Sequence, residues 1–209
     1  MAESFKNKVD ALTQFASTDD SALADFLADG CKEIINMMPP FELVAVANEG
    51  SAFAPTTGLA VTAPIISVIR KTSTTGDTHQ CRLITINQKH EAQDENHVLF
   101  ATETDPVYYL EPQTSGEQKL KVLPLSSDSL ATAVLVEYPG PAVGDSNGIA
   151  RFPDKYEHLV VLYASIKCIE SLLASEEDAE LYVPILQTLK QDYASGLISS
   201  GLVSKASKQ

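Results

Sequence analysis

The sequence predicts an α+β protein, built as a helical bundle that carries an inserted antiparallel β domain. Apolar residues recur at helical spacing near the start of the chain and again in its last third. Between these parts, short runs rich in β-forming residues are separated by turn sequences. Helices at both ends with strands between them favour this arrangement over alternating βαβ units. The predicted division is 1–40 for the N-terminal helices of the bundle, 41–150 for the β-rich insertion, 151–197 for a C-terminal helical hairpin and 198–209 for a mobile tail.

The first strong helical pattern covers residues 21–38. Asp19 or Asp20 can cap its N-terminus, because a carboxylate accepts hydrogen bonds from the free backbone N–H groups there. Two consecutive prolines end it. A shorter pattern over residues 5–15 predicts a separate short helix before it. The apolar stripe of the longer helix consists of Leu23, Phe26, Leu27, Cys31, Ile34, Ile35 and Met38.

The middle of the chain, from about residue 41 to residue 138, is predicted to form an antiparallel sheet. Over residues 119–123 apolar and polar side chains alternate, as expected for a half-buried strand. Tyr108 and Tyr109 must point to opposite faces of their strand. One of them can then lie in the core while the other reaches a neighbouring chain, or both lie within one domain. The predicted strands are residues 42–47, 65–71, 80–86, 98–102, 107–111, 119–123 and 132–138.

A connection rich in Gly and Pro leads into the C-terminal hairpin, and its Asn147-Gly148 pair favours a turn with positive φ. A Phe-Pro pair opens the first helix of the hairpin. The acidic run at residues 176–178 predicts the start of the second helix, where negative charge suits the helix dipole. Pro184 lies inside the second pattern and predicts a kink or a break there.

The charge balance is strongly acidic, with 28 Asp and Glu against 15 Lys and Arg and a net charge of −13. Such a surface repels phosphate backbones and anionic lipids, whereas a plain solubility role is the alternative explanation. No uncharged apolar run approaches the ~20 residues of a membrane helix, so no membrane association is expected. The three cysteines are widely spaced in the sequence, which favours reduced thiols.

Catalytic and cofactor motifs are missing from the sequence. It contains no nucleophile elbow, phosphate-binding loop or dinucleotide fingerprint. His79 and Cys81 lie two residues apart and can begin a zinc site, but no partners follow at a known spacing. Several carboxylates cluster near residues 91–103, yet the chain has no Trp to form a sugar-binding platform. The sequence therefore predicts a protein that is not an enzyme and holds no cofactor or metal.

Three stretches resemble the head-to-tail adaptor (connector) proteins of tailed bacteriophages. The first is the helix DSALADFLADGCKEIINMMPP, which ends abruptly at its prolines. The second is the strand series LFATETDPVYYLEP, LKVLPL and AVLVEYP. The third is the hairpin FPDKYEHLVVLYASIKCIESLLASEEDAELYVPILQTLKQDYASGL, with its Phe-Pro entry and acidic turn. Together they cover most of the chain.

The resemblance implies a structural virion protein without catalytic residues. Its subunits would form a ring, commonly twelvefold, between the portal protein and the tail or its nozzle and terminator proteins. DNA would pass through an acidic lumen without sequence-specific contact, which agrees with the net charge of −13. The resemblance places such a protein in the neck of the virion, and in the host cytoplasm during assembly.

The tail is the predicted docking segment for the portal protein. It carries apolar residues in a polar stretch interrupted by Gly, and such residues have little reason to persist unless they contact a partner. The expectation is disorder in the free subunit and order on a portal ring, and the competing explanation is that the tail only extends the last helix. The second function class is a β-sandwich module that recognises a protein or glycan ligand. The predicted docking residues are Ile198, Leu202, Val203, Lys205 and Lys208.

Overall fold

The computed structural model describes residues 3–14, 19–72, 76–114, 116–126, 129–174 and 181–203. The fold class is α+β, as the sequence predicts. The chain divides into a helical unit, made of Met1–Val46 with Tyr138–Gln209, and a sheet unit, Ala47–Glu137. The chain thus leaves the helical unit once, forms the sheet unit and returns.

Four α-helices are described in the helical unit. Asp19 caps the second of them, and its carboxylate accepts hydrogen bonds from the N–H groups of Ser21 and Ala22 at 2.9 and 3.3 Å. The capping role predicted for this part of the sequence is therefore confirmed. The helices are α1 Phe5–Thr13, α2 Asp20–Met37, α3 Glu157–Leu173 and α4 Val183–Ser199.

Helix α3 is the centre of the helical unit, because α1, α2 and α4 all pack on it. At Gly30 of α2, an added Cβ atom would lie 3.1 Å from Cδ1 of Tyr163 and 3.3 Å from Cγ1 of Val160. The absence of a side chain at Gly30 therefore allows α2 to approach α3 closely. The buried residues of α3 are Leu159, Val160, Val161, Ala164, Ser165, Ile166 and Ile169.

The segments that flank the helices also belong to the helical unit. The backbone N–H groups of Phe5 and Lys6 donate to the carbonyl oxygens of Asp145 and Val143, both at 3.1 Å. Tyr138 donates its hydroxyl hydrogen to Oδ1 of Asn36 at 3.0 Å. These bonds tie residues 138–150 to α1 and α2. The predicted insertion, residues 41–150, is therefore longer at this end than the sheet unit.

Glu42 anchors the other flanking segment. Its carboxylate accepts hydrogen bonds from Nζ of Lys155 and from the hydroxyl of Tyr156, both at 2.7 Å. The following residues, Leu43–Val46, form a 3-10 helix, so the strand predicted at residues 42–47 is wrong except at its last residue. The polar contacts of Glu42 lie 113 and 114 residues away in the sequence, which no local pattern reveals.

Two four-stranded sheets form the sheet unit, in place of the single antiparallel sheet that the sequence predicts. One has the strand order β1-β8-β3-β4 and the other β2-β7-β6-β5. All pairs are antiparallel except β5 and β6, which are parallel. The strands are β1 Ala47–Glu49, β2 Leu59–Val61, β3 Ile65–Lys71, β4 Thr78–Gln80, β5 Arg82–Leu83, β6 Val107–Pro112, β7 Gln118–Leu123 and β8 Leu130–Val136.

The first and last strands of the sheet unit pair with each other. Ala47 lies opposite Val136, and Glu49 lies opposite Val134. The chain therefore enters and leaves the sheet unit through two neighbouring strands. This pairing allows the unit to sit within a chain whose remaining parts form one helical bundle.

Both sheets contribute to one apolar core. Val68 and Ala133 come from the first sheet, whereas Leu120 and Val122 come from the second, and all four are fully buried. Face-to-face packing of two sheets through interleaved apolar side chains is the arrangement of a β-sandwich. The complete cluster consists of Phe53, Val61, Val68, Cys81, Leu120, Val122, Ala131 and Ala133.

The other face of the second sheet is covered by its own chain. Tyr109 lies in a second buried cluster, whereas Tyr108 packs against the core between the sheets. The prediction that the two tyrosines point to opposite faces is confirmed, and both have partners within the sheet unit. The second cluster consists of Ile84, Ala92, Ala101, Val107, Tyr109 and Leu123.

Two further predicted strands differ from the structure, and one observed strand was missed. The predicted strand 80–86 is divided between the end of β4 at Gln80 and the short strand β5, and a 3-10 helix begins at Ile86. The predicted strand 98–102 is absent. Residues 98–102 form turns, with the N–H of Phe100 donating to the carbonyl of His97 and Val98 91% exposed. The N–H of Ala101 donates to the carbonyl of Ala92, so this segment folds locally instead of pairing with a strand. Strand β2 has only three residues, which is too short for a recognisable alternation.

Gly148 and Pro184 shape the two helices of the hairpin. Gly148 has φ +87°, as predicted for the turn, and an added Cβ would lie 2.6 Å from Oε1 of Glu157. Pro184 lies in the first turn of α4, where a missing N–H breaks no hydrogen bond. Of the two predicted outcomes, the kink does not occur, and the break corresponds to the start of α4 at Val183. The acidic run at residues 176–178 lies outside the described residues.

We predict that Leu159→Ala destabilises the protein by about 2–5 kcal/mol, because Leu159 is fully buried in α3 and the substitution leaves a cavity. Urea unfolding followed by far-UV circular dichroism measures this. The matched control is Val98→Ala, which shortens an exposed apolar side chain and should leave the midpoint unchanged. Equal effects of the two substitutions would contradict the central position of α3.

A second prediction concerns pH. Hydrogen bonds from Lys155 and then Tyr156 hold the pKa of Glu42 below its ordinary value of 4.5. A lowered pKa in the folded state stabilises the protein above the unfolded-state pKa, and this contribution disappears as pH falls through the folded-state value. Glu42→Gln should therefore be less stable than the wild type at pH 7. The difference should shrink below about pH 4, and a difference independent of pH would contradict the ionised contact.

Candidate docking surface

The predicted docking residues lie partly at the end of α4. Ile198 belongs to the last turn of this helix, which ends at Ser199. Gly201 has φ +77°, and the N–H groups of Leu202 and Val203 both donate to the carbonyl of Leu197, at 3.1 and 3.3 Å. A left-handed Gly followed by such bonds is a common way to satisfy the last carbonyls of a helix. Residues 198–203 therefore complete α4, and the predicted tail boundary at residue 198 does not match the end of the helix.

Two of these apolar side chains are exposed. Ile198 is 36% exposed and Val203 is 42% exposed, whereas Leu202 is half-buried. The structure thus fixes two apolar side chains at a capped helix end, where they are available to a partner. Lys205 and Lys208 lie outside the described residues.

Helix α4 is held on α3 by apolar packing and by a close approach near its end. Leu189 is the buried residue of α4 and packs with Ile166 and Ile169 of α3. At Gly196, an added Cβ would lie 2.5 Å from Cδ2 of Leu159. The end of α4 therefore lies against the start of α3, so the two helices run antiparallel and residues 198–203 are displayed beside the N-terminus of α3.

Polar contacts also position α4. The hydroxyl of Tyr193 donates to Oε1 of Glu33 in α2 at 3.0 Å. Burial raises the pKa of Tyr193, so the phenol stays protonated and remains a donor. Glu170 of α3 contacts Nζ of Lys190 and of Lys167, both at 2.9 Å, and these two bonds lower its pKa. The predicted docking residues thus lie at the end of a helix with polar contacts to both α2 and α3.

A groove of about 570 Å³ lies between α1 and the start of α3 in the helical unit. Its apolar surface comes from Leu12, Val161 and Leu162, and its charged lining is mixed: Glu3, Asp154 and Glu157 are acidic and Lys8 is basic. Leu12 is 38% exposed, so part of its apolar side chain is open to solvent. This groove is a second surface of the helical unit that can receive an apolar segment.

The sheet unit has a groove of its own, with a volume of about 610 Å³. Ile65, Leu83, Tyr108 and Leu110 give it apolar character, and Gln118 is one of its polar groups. Burial raises the pKa of Tyr108, so its hydroxyl is available as a hydrogen-bond donor. A concave surface with apolar walls and a few polar groups is suited to a small ligand or a peptide side chain.

Metal-binding chemistry is not assembled in the described parts of the chain. Among these residues, no three His, Cys, Asp or Glu side chains lie close enough together to hold a metal ion. Cys81 is buried and His79 half-buried in the sheet unit, and no further ligand joins them there. All three cysteines are free thiols. Burial raises the pKa of Cys31 and of Cys81 to about 12, which keeps both thiols protonated and unreactive.

Among the described helices, none has both the length and the apolar composition that crossing a membrane requires.

We predict that Gly201→Ala destabilises the protein by about 1 kcal/mol, because alanine is strained in the left-handed region. An added Cβ at Gly201 meets no atom within 4 Å, so conformation alone is tested. Gly144→Ala is the matched control, since its Cβ also meets no atom within 4 Å and its φ is not positive. Urea midpoints measure the effect, and amide exchange at Leu202 and Val203 reports the cap. Unchanged exchange and midpoint in Gly201→Ala would show that the cap does not form.

Comparison with known proteins adds no relative. No protein-family model matches the chain, and its sequence has no significant match among curated proteins.

Proposed function

We propose that the protein is a structural component of a tailed-phage virion, an adaptor that forms a ring under the portal and joins the capsid to the tail. The observation that carries this proposal is the capped end of α4. It holds Ile198 and Val203 exposed, and Leu202 half-buried, directly before a segment with two lysines. The resemblance of the sequence to connector proteins supports the same function.

The end of α4 has the properties of a docking element. Its backbone is ordered by the Leu197 carbonyl, so association orders few additional groups and loses little conformational entropy. Its exposed apolar side chains gain by burial, at about 25 cal/mol per Å² of apolar surface removed from water. Lys205 and Lys208 add positive charge to an otherwise acidic chain and can pair with carboxylates of the portal protein.

The acidic charge fits a subunit that lines a passage for DNA. A net charge of −13 gives each copy an unfavourable interaction with phosphate groups, and a ring multiplies this effect. DNA can then move through the lumen without sequence-specific contact. The carboxylates of the chain, which have no catalytic role in the sequence analysis, supply the negative charge that repels the DNA phosphates.

The experiment compares Ile198→Asp/Val203→Asp with the wild type in the presence of portal rings from the same genome. We expect wild-type protein to bind these rings in a fixed ratio set by a twelvefold ring, and the double variant to bind at least tenfold more weakly. Native mass spectrometry and negative-stain microscopy give the copy number. Val98→Asp is the control, because it places the same charge on an apolar residue that is 91% exposed in the sheet unit.

Two outcomes would contradict the adaptor function. One is a wild-type protein that stays monomeric with portal rings and is missing from purified virions. The other is a double variant that folds, binds the portal and supports assembly of tailed virions at the wild-type level. Circular dichroism of the variant excludes unfolding as the reason for lost binding.

The second candidate function is a β-sandwich module that recognises a protein or glycan ligand. The groove of about 610 Å³ and the core shared by the two sheets favour it. Leu110→Asp would place a charge among the groove residues and should abolish binding of such a ligand. Glycan arrays and peptide libraries with the full chain give the test, and a monomeric protein with a saturable ligand would favour this module over the adaptor.

A further inference from the structure

Arg70 is a fully buried arginine in the sheet unit. It lies in β3, one residue before the end of that strand, and its exposed fraction is 0%. In the first sheet it is opposite His79 of β4 on one side and Ala131 of β8 on the other. Alternation along β3 places its side chain on the same face as Val68, which belongs to the core between the two sheets.

The guanidinium group of Arg70 has no hydrogen-bond acceptor in the described part of the chain. Its Nε, Nη1 and Nη2 atoms are all buried, and none of them has a hydrogen-bond partner among the residues that the structure describes. Arg82 provides the contrast, because its Nη2 atom pairs with Oδ2 of Asp105 at 3.0 Å and both side chains are exposed. The two arginines of the sheet unit thus have opposite environments.

The core cluster that contains Val68, on the same face of β3 as Arg70, is apolar or neutral. Cys81 is close enough for the positive charge of Arg70 to act on it, although burial is the larger effect and raises the pKa of this thiol to about 12. The thiol is therefore protonated and supplies no negative charge. Val68, Ala131 and Ala133 of the same core cluster carry no polar side-chain groups.

Such an arrangement is unfavourable as it stands. A guanidinium stays protonated in proteins, and burying one without a counter-charge is strongly unfavourable. Its N–H groups form a planar fork that matches two oxygens of a carboxylate or phosphate group. A bound anion would satisfy the buried donors and offset this cost.

We propose that Arg70 is the anchor of a small-oxyanion site in the sheet unit, which takes a carboxylate or phosphate group between the two sheets. The ligand reaches it at the end of β3, which lies one residue beyond Arg70. Strand ends open locally more readily than strand centres, which admits a small anion to a group that is buried in the closed state. The site is independent of the adaptor function and of the groove near Tyr108.

The direct test observes the arginine side chains by NMR. The chain contains three arginines, Arg70, Arg82 and Arg151, so its ¹H–¹⁵N spectrum holds three assignable Nε–H signals. Sodium acetate and sodium phosphate are titrated separately at constant ionic strength, with chloride as the replaced anion. We expect the Arg70 signal to shift saturably with at least one of them, while the Arg82 signal follows only the bulk conditions.

The second measurement uses stability. Wild-type protein should show a urea midpoint that rises with the concentration of the binding anion, because a ligand of the folded state stabilises it by mass action. Arg70→Met should lose this dependence, whereas Arg82→Met should keep it. The Arg82 variant also corrects for the general stabilising effect of phosphate on folded proteins.

The outcomes separate the possibilities. A response to acetate alone assigns a carboxylate ligand, a response to phosphate alone assigns a phosphate ligand, and either supports the site. An Arg70 signal that moves with neither anion overturns it, as does an equal dependence of midpoint in wild type and Arg70→Met. Both negative results are expected if ordered water, and not an anion, satisfies the N–H groups of Arg70. Should Arg70→Met fail to fold, the titration of the wild-type signal decides alone.

Discussion

The helical unit depends on the burial of α3. Its apolar residues occupy more than one side of the helix, from Leu159 through Ala164 to Ile169, so a single neighbour cannot cover them. Helices α1 and α2 come from the start of the chain and α4 from its end, and all three pack on α3. The two ends of the chain must therefore meet, which forces everything between them to leave and return at one place. The pairing of β1 with β8 satisfies that constraint, because the strands by which the chain enters and leaves the sheet unit are then neighbours.

The helices were predictable because the sequence signals of each helix lie within the helix itself or next to its ends. Apolar residues at intervals of three and four, the carboxylate of Asp19 and a pair of prolines are all readable over fewer than twenty residues. Strands β3, β6, β7 and β8 were also found, since each has six or seven residues of suitable composition. The division of these strands between two sheets was not predictable, because the sequence of a strand does not indicate which distant strand it pairs with. The strand predicted from residue 42 was wrong for the same reason, because the partners of Glu42 lie more than a hundred residues away in the sequence.

The candidate docking surface at the end of α4 was predicted from the sequence only in part. Apolar residues among Ser, Gly and Lys indicated a partner-binding segment, and the structure exposes Ile198 and Val203. The same Gly-containing stretch predicted a tail beginning at residue 198, although Gly just past a periodic segment is also a helix stop signal. Arg70 was missed because it is followed by Lys71, and two adjacent basic residues resemble a solvated pair. Only the pairing of β3 between β8 and β4 reveals that alternate residues of that strand face the core.

The central position of α3 also determines the order in which the protein can fold during synthesis. About 120 residues separate the end of α2 at Met37 from the start of α3 at Glu157. At roughly 5–20 residues per second, the ribosome needs on the order of ten seconds to cover this distance. During that interval α1 and α2 do not yet have α3 to pack on, while the strands of the sheet unit are completed. The sheet unit can thus become the first folded part of the nascent chain, and α1 and α2 reach their packed positions only once α3 has emerged.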